Sequence, residues 1–371
     1  MNGAVLNGFR TWIEIDSKAI QNNIKIFRKI IGSKVKLWAV VKSNAYGHGL
    51  FNFSKAINKF VDGFCVDSVI EGIKLREIGI KKEILVLGTT LKENYSLAFE
   101  NNITITISNF ERLRDILKLK NKPKFHLKID TGMHRQGFYL NDLTKTISFL
   151  KNLQKEFKGV YTHFAMVQNL KFTENQFQNF KKAINFLKDS GFSNFISHCA
   201  ATGGTLLNKK YHLNAVRIGI GLYGYFPNVY FKRHFSSKFN LKPVLSWKTI
   251  ISEIKEIKKG EAVSYDLTWR AKNNTKIAIL PIGYWHGYFR SLSNKGIVLI
   301  KDKKVKVIGM VCMNMIIINL NKIKANIGDE VILVGQNKNN KILADFLGNL
   351  AGTSHFEFLT RINPLIYRII K

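Results

Sequence analysis

Eight short β-rich runs constrain this chain more than any other feature: L-W-A-V-V-K at 37–42, G-F-C-V-D at 63–67, I-L-V-L-G at 84–88, I-T-I-T-I at 103–107, K-F-H-L-K-I at 124–129, G-V-Y-T-H-F at 159–164, F-I-S-H at 195–198 and A-V-R-I-G at 215–219. Between most of them lie segments with apolar residues at every third or fourth position, for example Leu140 to Phe157 and Thr173 to Ser190, the spacing of an amphipathic helix. Strands that alternate with helices form a parallel sheet, and eight such units predict a (β/α)8 barrel of the TIM type. After residue 237 the pattern changes to alternating strands with turn signals, as in I-S-E-I-K-E-I-K-K-G-E-A-V-S-Y, K-I-A-I-L-P-I-G-Y, G-I-V-L-I-K-D-K-K-V-K-V-I-G and I-G-D-E-V-I-L-V-G. This reads as a mostly antiparallel β domain ending in a helix near Ala344 to Leu350. The expected domains are therefore 1–236, a barrel, and 237–371, a C-terminal β domain. R-T-W-I-E-I-D at 10–16 suits a strand in either, so roughly the first dozen residues can pair with the β domain.

The start M-N-G-A-V-L-N-G-F-R has no apolar leader, and no run approaches about 18 uninterrupted apolar residues, so the expectation is a soluble cytoplasmic protein. Cys65, Cys199 and Cys312 are far apart, without the spacing of a zinc site or disulfide scaffold, and read as reduced thiols. No metal is expected. The net charge of +33 raises the question of nucleic acid. The lysines are scattered along the chain rather than interleaved with aromatics in one block, so a solvated surface with salt-dependent adhesion to polyanions accounts for them.

Barrel chemistry collects at the carboxyl ends of the strands. Here those ends carry Lys42 after the first strand, Lys128 and Arg135 around the fifth, His163 at the sixth, Thr202 after the seventh and Arg217 in the eighth. A bare ammonium at a buried strand end is costly, so its pKa should fall or the amine should be covalently engaged. Amines form Schiff bases, and pyridoxal phosphate is the commonest cofactor held that way. Its phosphate would find donors in T-G-G at 202–204 and R-I-G-I at 217–220.

Seven motifs in order, A-V-V-K-S-N-A-Y-G-H-G, L-K-I-D-T-G-M-H-R, Y-T-H-F-A, V-R-I-G-I, V-S-Y, L-P-I-G-Y and V-C-M-N, span essentially the whole chain. Together they resemble the alanine racemase family of fold-type III pyridoxal-phosphate enzymes. The resemblance implies interconversion of L- and D-alanine, with D-alanine going to peptidoglycan. Lys42 would be the Schiff-base lysine and proton carrier on one face of the substrate, and Tyr265 the base on the other face, supplied by the second subunit of a homodimer. A phenol needs help to act as a base at neutral pH, and His163 with Arg217 is the set that would provide it. Arg217 would face the pyridine nitrogen and keep it unprotonated, favouring proton exchange over transamination. Tyr46, Thr202 and the amides of Gly219 and Ile220 would hold the phosphate. Arg135 would hold the substrate carboxylate beside Lys128, a position often carbamylated in the family. Met313, flanked by Cys312 and Asn314, would reach the substrate from the partner chain, and Tyr284 and Arg290 would line the entry channel.

The match has departures. Asn314 stands where aspartate is usual, Ala201 and Thr202 where asparagine and serine are, Phe356 where a phosphate-binding tyrosine is, and Ser354 where a bulkier aliphatic is. Gln168 and Met310 replace an aspartate and an arginine of the entry. A smaller, less charged gate raises a second reading, a broad-specificity racemase for serine, lysine or similar amino acids. A third, a pyridoxal phosphate carrier of the single-domain type, lacks the second base, and the β domain bearing Tyr265 counts against it.

Overall fold

Runs that are apolar on both faces become strands buried on both faces. In the computed structural model of the protein, which describes residues 8–321 and 323–371, the strands follow in order as β1 (Thr11–Ile15), β2 (Lys36–Val40), β3 (Gly63–Val66), β4 (Glu83–Val86), β5 (Ile105–Ile107), β6 (Phe125–Lys128), β7 (Phe157–Tyr161), β8 (Ile196–His198) and β9 (Ala215–Ile218). Strands β2 to β9 are all parallel, in the orders β4-β3-β2-β9 and β5-β6-β7-β8. Single parallel bridges, Leu85 to Thr104 and Ala201 to Arg217, join the two arcs into a closed ring. The expected eight-stranded barrel is present.

The helix Leu170–Asp189 buries Thr173, Gln176, Phe177, Phe180, Ala183, Ile184 and Leu187 along one stripe. It starts three residues before the expected Thr173 because the Asn169 side chain caps it, accepting from the Phe172 amide. The other expected helix, Leu140 to Phe157, is shorter: it runs from Leu143 to Leu150, and Phe157 opens β7. Leu153 and Phe157 are buried and continue the helical spacing past the helix itself, which is why periodicity overran its end.

The remaining strands are β10 (Leu245–Ile250), β11 (Glu253–Ile257), β12 (Ala262–Val263), β13 (Trp269–Arg270), β14 (Thr275–Leu280), β15 (Ile297–Ile300), β16 (Lys303–Ile308), β17 (Ile316–Asn319), β18 (Glu330–Gln336), β19 (Lys341–Ile342) and β20 (Tyr367–Ile370). Most form one sheet, ordered β11-β14-β17-β16-β15-β18-β10-β1-β20. It is antiparallel except where β1 runs parallel to β20. The two-way assignment of residues 10–16 thus resolves: β1 pairs with β10 and β20, while residues 1–7 lie outside the described residues. The expected helix Ala344–Leu350 is present, and a further one, His355–Thr360, follows, capped by Ser354 accepting from the Glu357 amide.

Two compact units result, one of Lys18–Ala45 and Ser54–Lys242, the other of Tyr46–Phe53, Pro243–Lys371 and the described residues through Ser17. All three cysteines are free, as expected, and burial pushes the Cys65 and Cys199 thiols up to about 12. Among the described residues no helix is long and apolar enough to cross a membrane.

Candidate active site

Strand β2 ends at Val40, and Lys42 begins the turn that follows. Its side chain is 37% exposed, with Nζ 3.3 Å from Asp67 Oδ1. The expected buried amine is therefore corrected: the strand stops short of Lys42, and the ammonium sits on the rim against a carboxylate. Ser43, Asn44, Ala45 and Tyr46 then adopt φ angles of 55°, 55°, 51° and 52° in succession. Left-handed backbone costs L-residues about 1–2 kcal/mol each, so this run needs restraint. The Ala45 amide donates to Val41 O at 2.8 Å. Glu71 accepts from the amides of Ser43 at 2.7 Å and Asp67 at 2.8 Å, clamping the lysine turn to the loop that carries its ion-pair partner.

Glu71 was missed by the sequence reading. Its signal was S-V-I-E at 68–71, the S-x-x-E pattern of a capped helix, and Ser68 does cap Val69–Glu77. Replacing Glu71 with Ala should cost about 1–2 kcal/mol in urea unfolding. Glu71→Gln, which keeps one of the two acceptor oxygens, should cost less, and turnover should fall in the same order.

Inside the barrel Arg217 is 2% exposed. Its Nη2 donates to Thr162 O at 2.9 Å and Cys199 O at 3.3 Å and lies 3.2 Å from His163 Nδ1, while Nη1 donates to His198 Nδ1. His198 Nε2 is in turn 2.9 Å from His126 Nδ1. Tyr161 stacks on His198 at 4.8 Å, with Lys128 Nζ 4.4 Å from its ring centre and the Arg217 guanidinium 5.1 Å from it. Its hydroxyl pairs with Thr106 at 2.8 Å, and burial raises it to about 12. Tyr161 is a second group that sequence reading passed over, since a strand tyrosine reads as core.

Burial, then the neighbouring Arg217 and Arg135, drives Lys128 well below the ordinary lysine range. Burial and the Arg217 charge likewise hold His126 down at about 3 and His198 and His163 well below their ordinary value. The sign of the pH effect follows. Below the free histidine value of about 6.5 the unfolded chain takes up protons that the folded one refuses, so stability is intact above that pH and falls beneath it. The fully buried pair His126 and His198 should remove about 2 kcal/mol between pH 6.5 and 5.5. Urea melts at the two values check this, and an unchanged midpoint would mean that the pair takes up protons as readily in the fold as in the unfolded chain.

Just past β8, Thr202 Oγ1 accepts from the Gly221 amide at 3.3 Å, beside Gly219 and Ile220, which follow β9. Arg135 is exposed at the end of a tight loop after β6. Asp130 holds that loop, accepting from the amides of Gly132, Met133 and His134 at 2.9, 2.9 and 3.1 Å. Burial alone would raise the Asp130 carboxyl, but these amides keep it below its ordinary value.

The β unit gathers the other expected residues. Tyr265 is 69% exposed, between Ser264 at φ 70° and Asp266 at φ 59°. Ser264 Oγ donates to Met310 O at 2.8 Å and lies 3.4 Å from Cys312 Sγ. The Cys312 amide bonds Met315 O at 3.0 Å, which puts Met313 and Asn314 at the tip of a turn. Amides of Tyr284 and Trp285 donate to Cys312 O and Met313 O, each at 3.0 Å. Only glycine permits this approach, since a Cβ on Gly283 would lie 2.1 Å from Cys312 O. Arg290 Nη2 stands 4.0 Å from Asp266 Oδ2. Tyr46 and Phe356 have their rings 6.3 Å apart. The Gly47 carbonyl after Tyr46 accepts from the buried Arg368 at 3.0 and 2.9 Å, so the far C-terminus anchors this turn.

A parallel barrel with an amine, a buried guanidinium and a hydroxyl at its carboxyl ends is followed along the chain by a mostly-β unit presenting a tyrosine, and relatives over nearly the whole chain are amino-acid racemases, which are isomerases. Residues 15–227 match the family description of the alanine racemase N-terminal domain and residues 244–370 that of the C-terminal domain; the chain belongs to the alanine racemase family. Alanine racemases of Leptospira interrogans (35% identical, 98% of this chain and 96% of the relative) and Methanococcus maripaludis (36%, 96% and 98%) are similar over nearly their full length. So is the crystal structure of a Bacillus anthracis alanine racemase with bound L-Ala-P, at 33% identity and a TM-score of 0.93 over 98% of this chain and 95% of that one.

Proposed function

We propose that the protein is a cytoplasmic, pyridoxal-5′-phosphate-dependent alanine racemase that interconverts L- and D-alanine by a two-base mechanism and supplies D-alanine for peptidoglycan. The residues present fit the cofactor. The observation that carries this reading is Arg217, a cation inside the barrel among groups that stay neutral, suited to a pyridine nitrogen that must not gain a proton. Lys42 would anchor the aldehyde, while Tyr46, Thr202 and the amides of Gly219 and Ile220 would hold the phosphate. Phe356, beside Tyr46, offers a ring face in place of a hydroxyl. When bound, the cofactor supplies an electron sink that acidifies the substrate α-carbon.

The chain's own groups do the rest. The Lys42 amine moves the α-proton on one face and the Tyr265 hydroxyl on the other, tuned by the His163–Arg217 pair, since inversion needs a base on each side. Arg135 would grip the substrate carboxylate. A lysine driven as far below its ordinary range as Lys128 presents a neutral amine whose lone pair can attack carbon dioxide, forming the N–C bond and releasing an N–H proton to solvent, which supports a carbamate there. The exposure of Tyr265, Tyr284, Trp285, Met313 and Met315 on the β unit supports a homodimer in which Tyr265, Met313, Cys312 and Asn314 serve the partner's site, with Tyr284 and Arg290 at its entry.

The test is loss of the α-proton of L-alanine in heavy water, followed by NMR with and without added pyridoxal phosphate, while chiral chromatography follows D-alanine. Cofactor-dependent exchange with inversion is expected; neither happening would overturn the reading. A broader racemase is favoured by Ser354, Phe356, Gln168 and Met310, and a panel including serine and lysine decides it.

A further inference from the structure

The amino-terminal mouth of the barrel, opposite the catalytic rim, opens into a cavity of about 620 Å³ walled by Lys34, Lys36, Lys124 and Lys158 around a single carboxylate, Glu83. Lys36 Nζ stands 4.0 Å from Glu83 Oε2, and Lys124 donates to the Asn102 side chain at 3.0 Å. Lys34 and Lys158 make no ion pair among the described residues. Four ammoniums around one carboxylate leave an uncompensated positive field, since separations inside a Debye length of about 8–10 Å are poorly screened.

A second observation comes from the barrel interior. His126, fully buried, has its Nε2 without a hydrogen-bond partner, 3.8 Å from Glu83 Oε1. The proton on that nitrogen follows from the chain of contacts beyond it. A guanidinium only donates, so His198 Nδ1 accepts from Arg217 and His198 carries its proton on Nε2. That proton goes to His126 Nδ1, and the His126 proton is therefore on Nε2, facing Glu83, which lines the cavity. Burial raises the Glu83 carboxyl above its ordinary value, against the pull of Lys36 and Lys124, and Glu83 is the single carboxylate among the lining residues.

We propose that this mouth binds a compact polyphosphate anion, held by Lys36 and Lys124 with Lys34 and Lys158 around it, and with the His126 Nε2–H behind Glu83. Nothing in the proposed racemisation uses these residues, and the site stands whether or not that reading does.

The test is calorimetric titration of the purified protein, saturated with pyridoxal phosphate, with inorganic pyrophosphate at about 0.1 M ionic strength. One equivalent per chain is expected. A Lys36→Ala/Lys124→Ala variant should bind about tenfold more weakly, whereas Lys304→Ala/Lys306→Ala, which removes equal charge from exposed positions of β16, should stay within about twofold. The His126 Nε2 nitrogen resonance should shift on saturation. Absent binding, or an equal loss in both variants, would overturn the proposal and leave only adhesion driven by net charge.

Discussion

Tyr265→Phe should keep the cofactor's visible absorbance and lower racemisation by about 10²–10⁴-fold, the range for losing a positioned acid–base group. The substitution removes one hydroxyl from a ring that is 69% exposed, so its stability effect should stay within about 0.5 kcal/mol. Lost turnover then reports chemistry rather than unfolding. The variant should still exchange the α-proton of one alanine enantiomer, because the Lys42 face is untouched, and it should do so without inversion. Racemisation at the parent rate would show that the opposite base is a different residue.

Lys42→Arg should be inactive, with turnover reduced by at least about 10⁴-fold, because it removes the amine that serves both as anchor and as base. A guanidinium keeps the positive charge beside Asp67, 3.3 Å from the amine in the parent, but neither condenses with an aldehyde nor takes up a proton at neutral pH. Lys42 is part-exposed on the rim, so urea unfolding should move by no more than about 0.5 kcal/mol. If the absorbance of lysine-bound cofactor survived in this variant, the anchor would have to be sought elsewhere, and Lys128, the buried amine driven well below its ordinary range, would be examined first.

The rim was legible because each of its residues lies at or just past an apolar run, and such runs mark strand ends without tertiary information. Lys42, Lys128, His163, Thr202 and Arg217 all lie at or just beyond the carboxyl ends of β2, β6, β7, β8 and β9. Environment was less legible. The amine expected to be buried, Lys42, is part-exposed, and the buried one is Lys128. Lys128 closes β6 and Lys42 lies just past β2, and Tyr161 covers Lys128 at 4.4 Å, a contact between neighbouring strands β6 and β7.

Local pattern by itself determined the parallel barrel, the β domain after it and the order of the chemical groups, because strand burial and helical spacing are properties of short windows. Only the tertiary structure decided how Glu71 restrains four left-handed residues, why the histidine protons from Arg217 to Glu83 point one way, and which lysines gather at the amino-terminal mouth. Those outcomes join residues far apart in the chain, Ser43 with Glu71 and His126 with Arg217 through His198. Hydrogen-bond direction and desolvation depend on the atoms that surround a group in space, and no window along the sequence contains them.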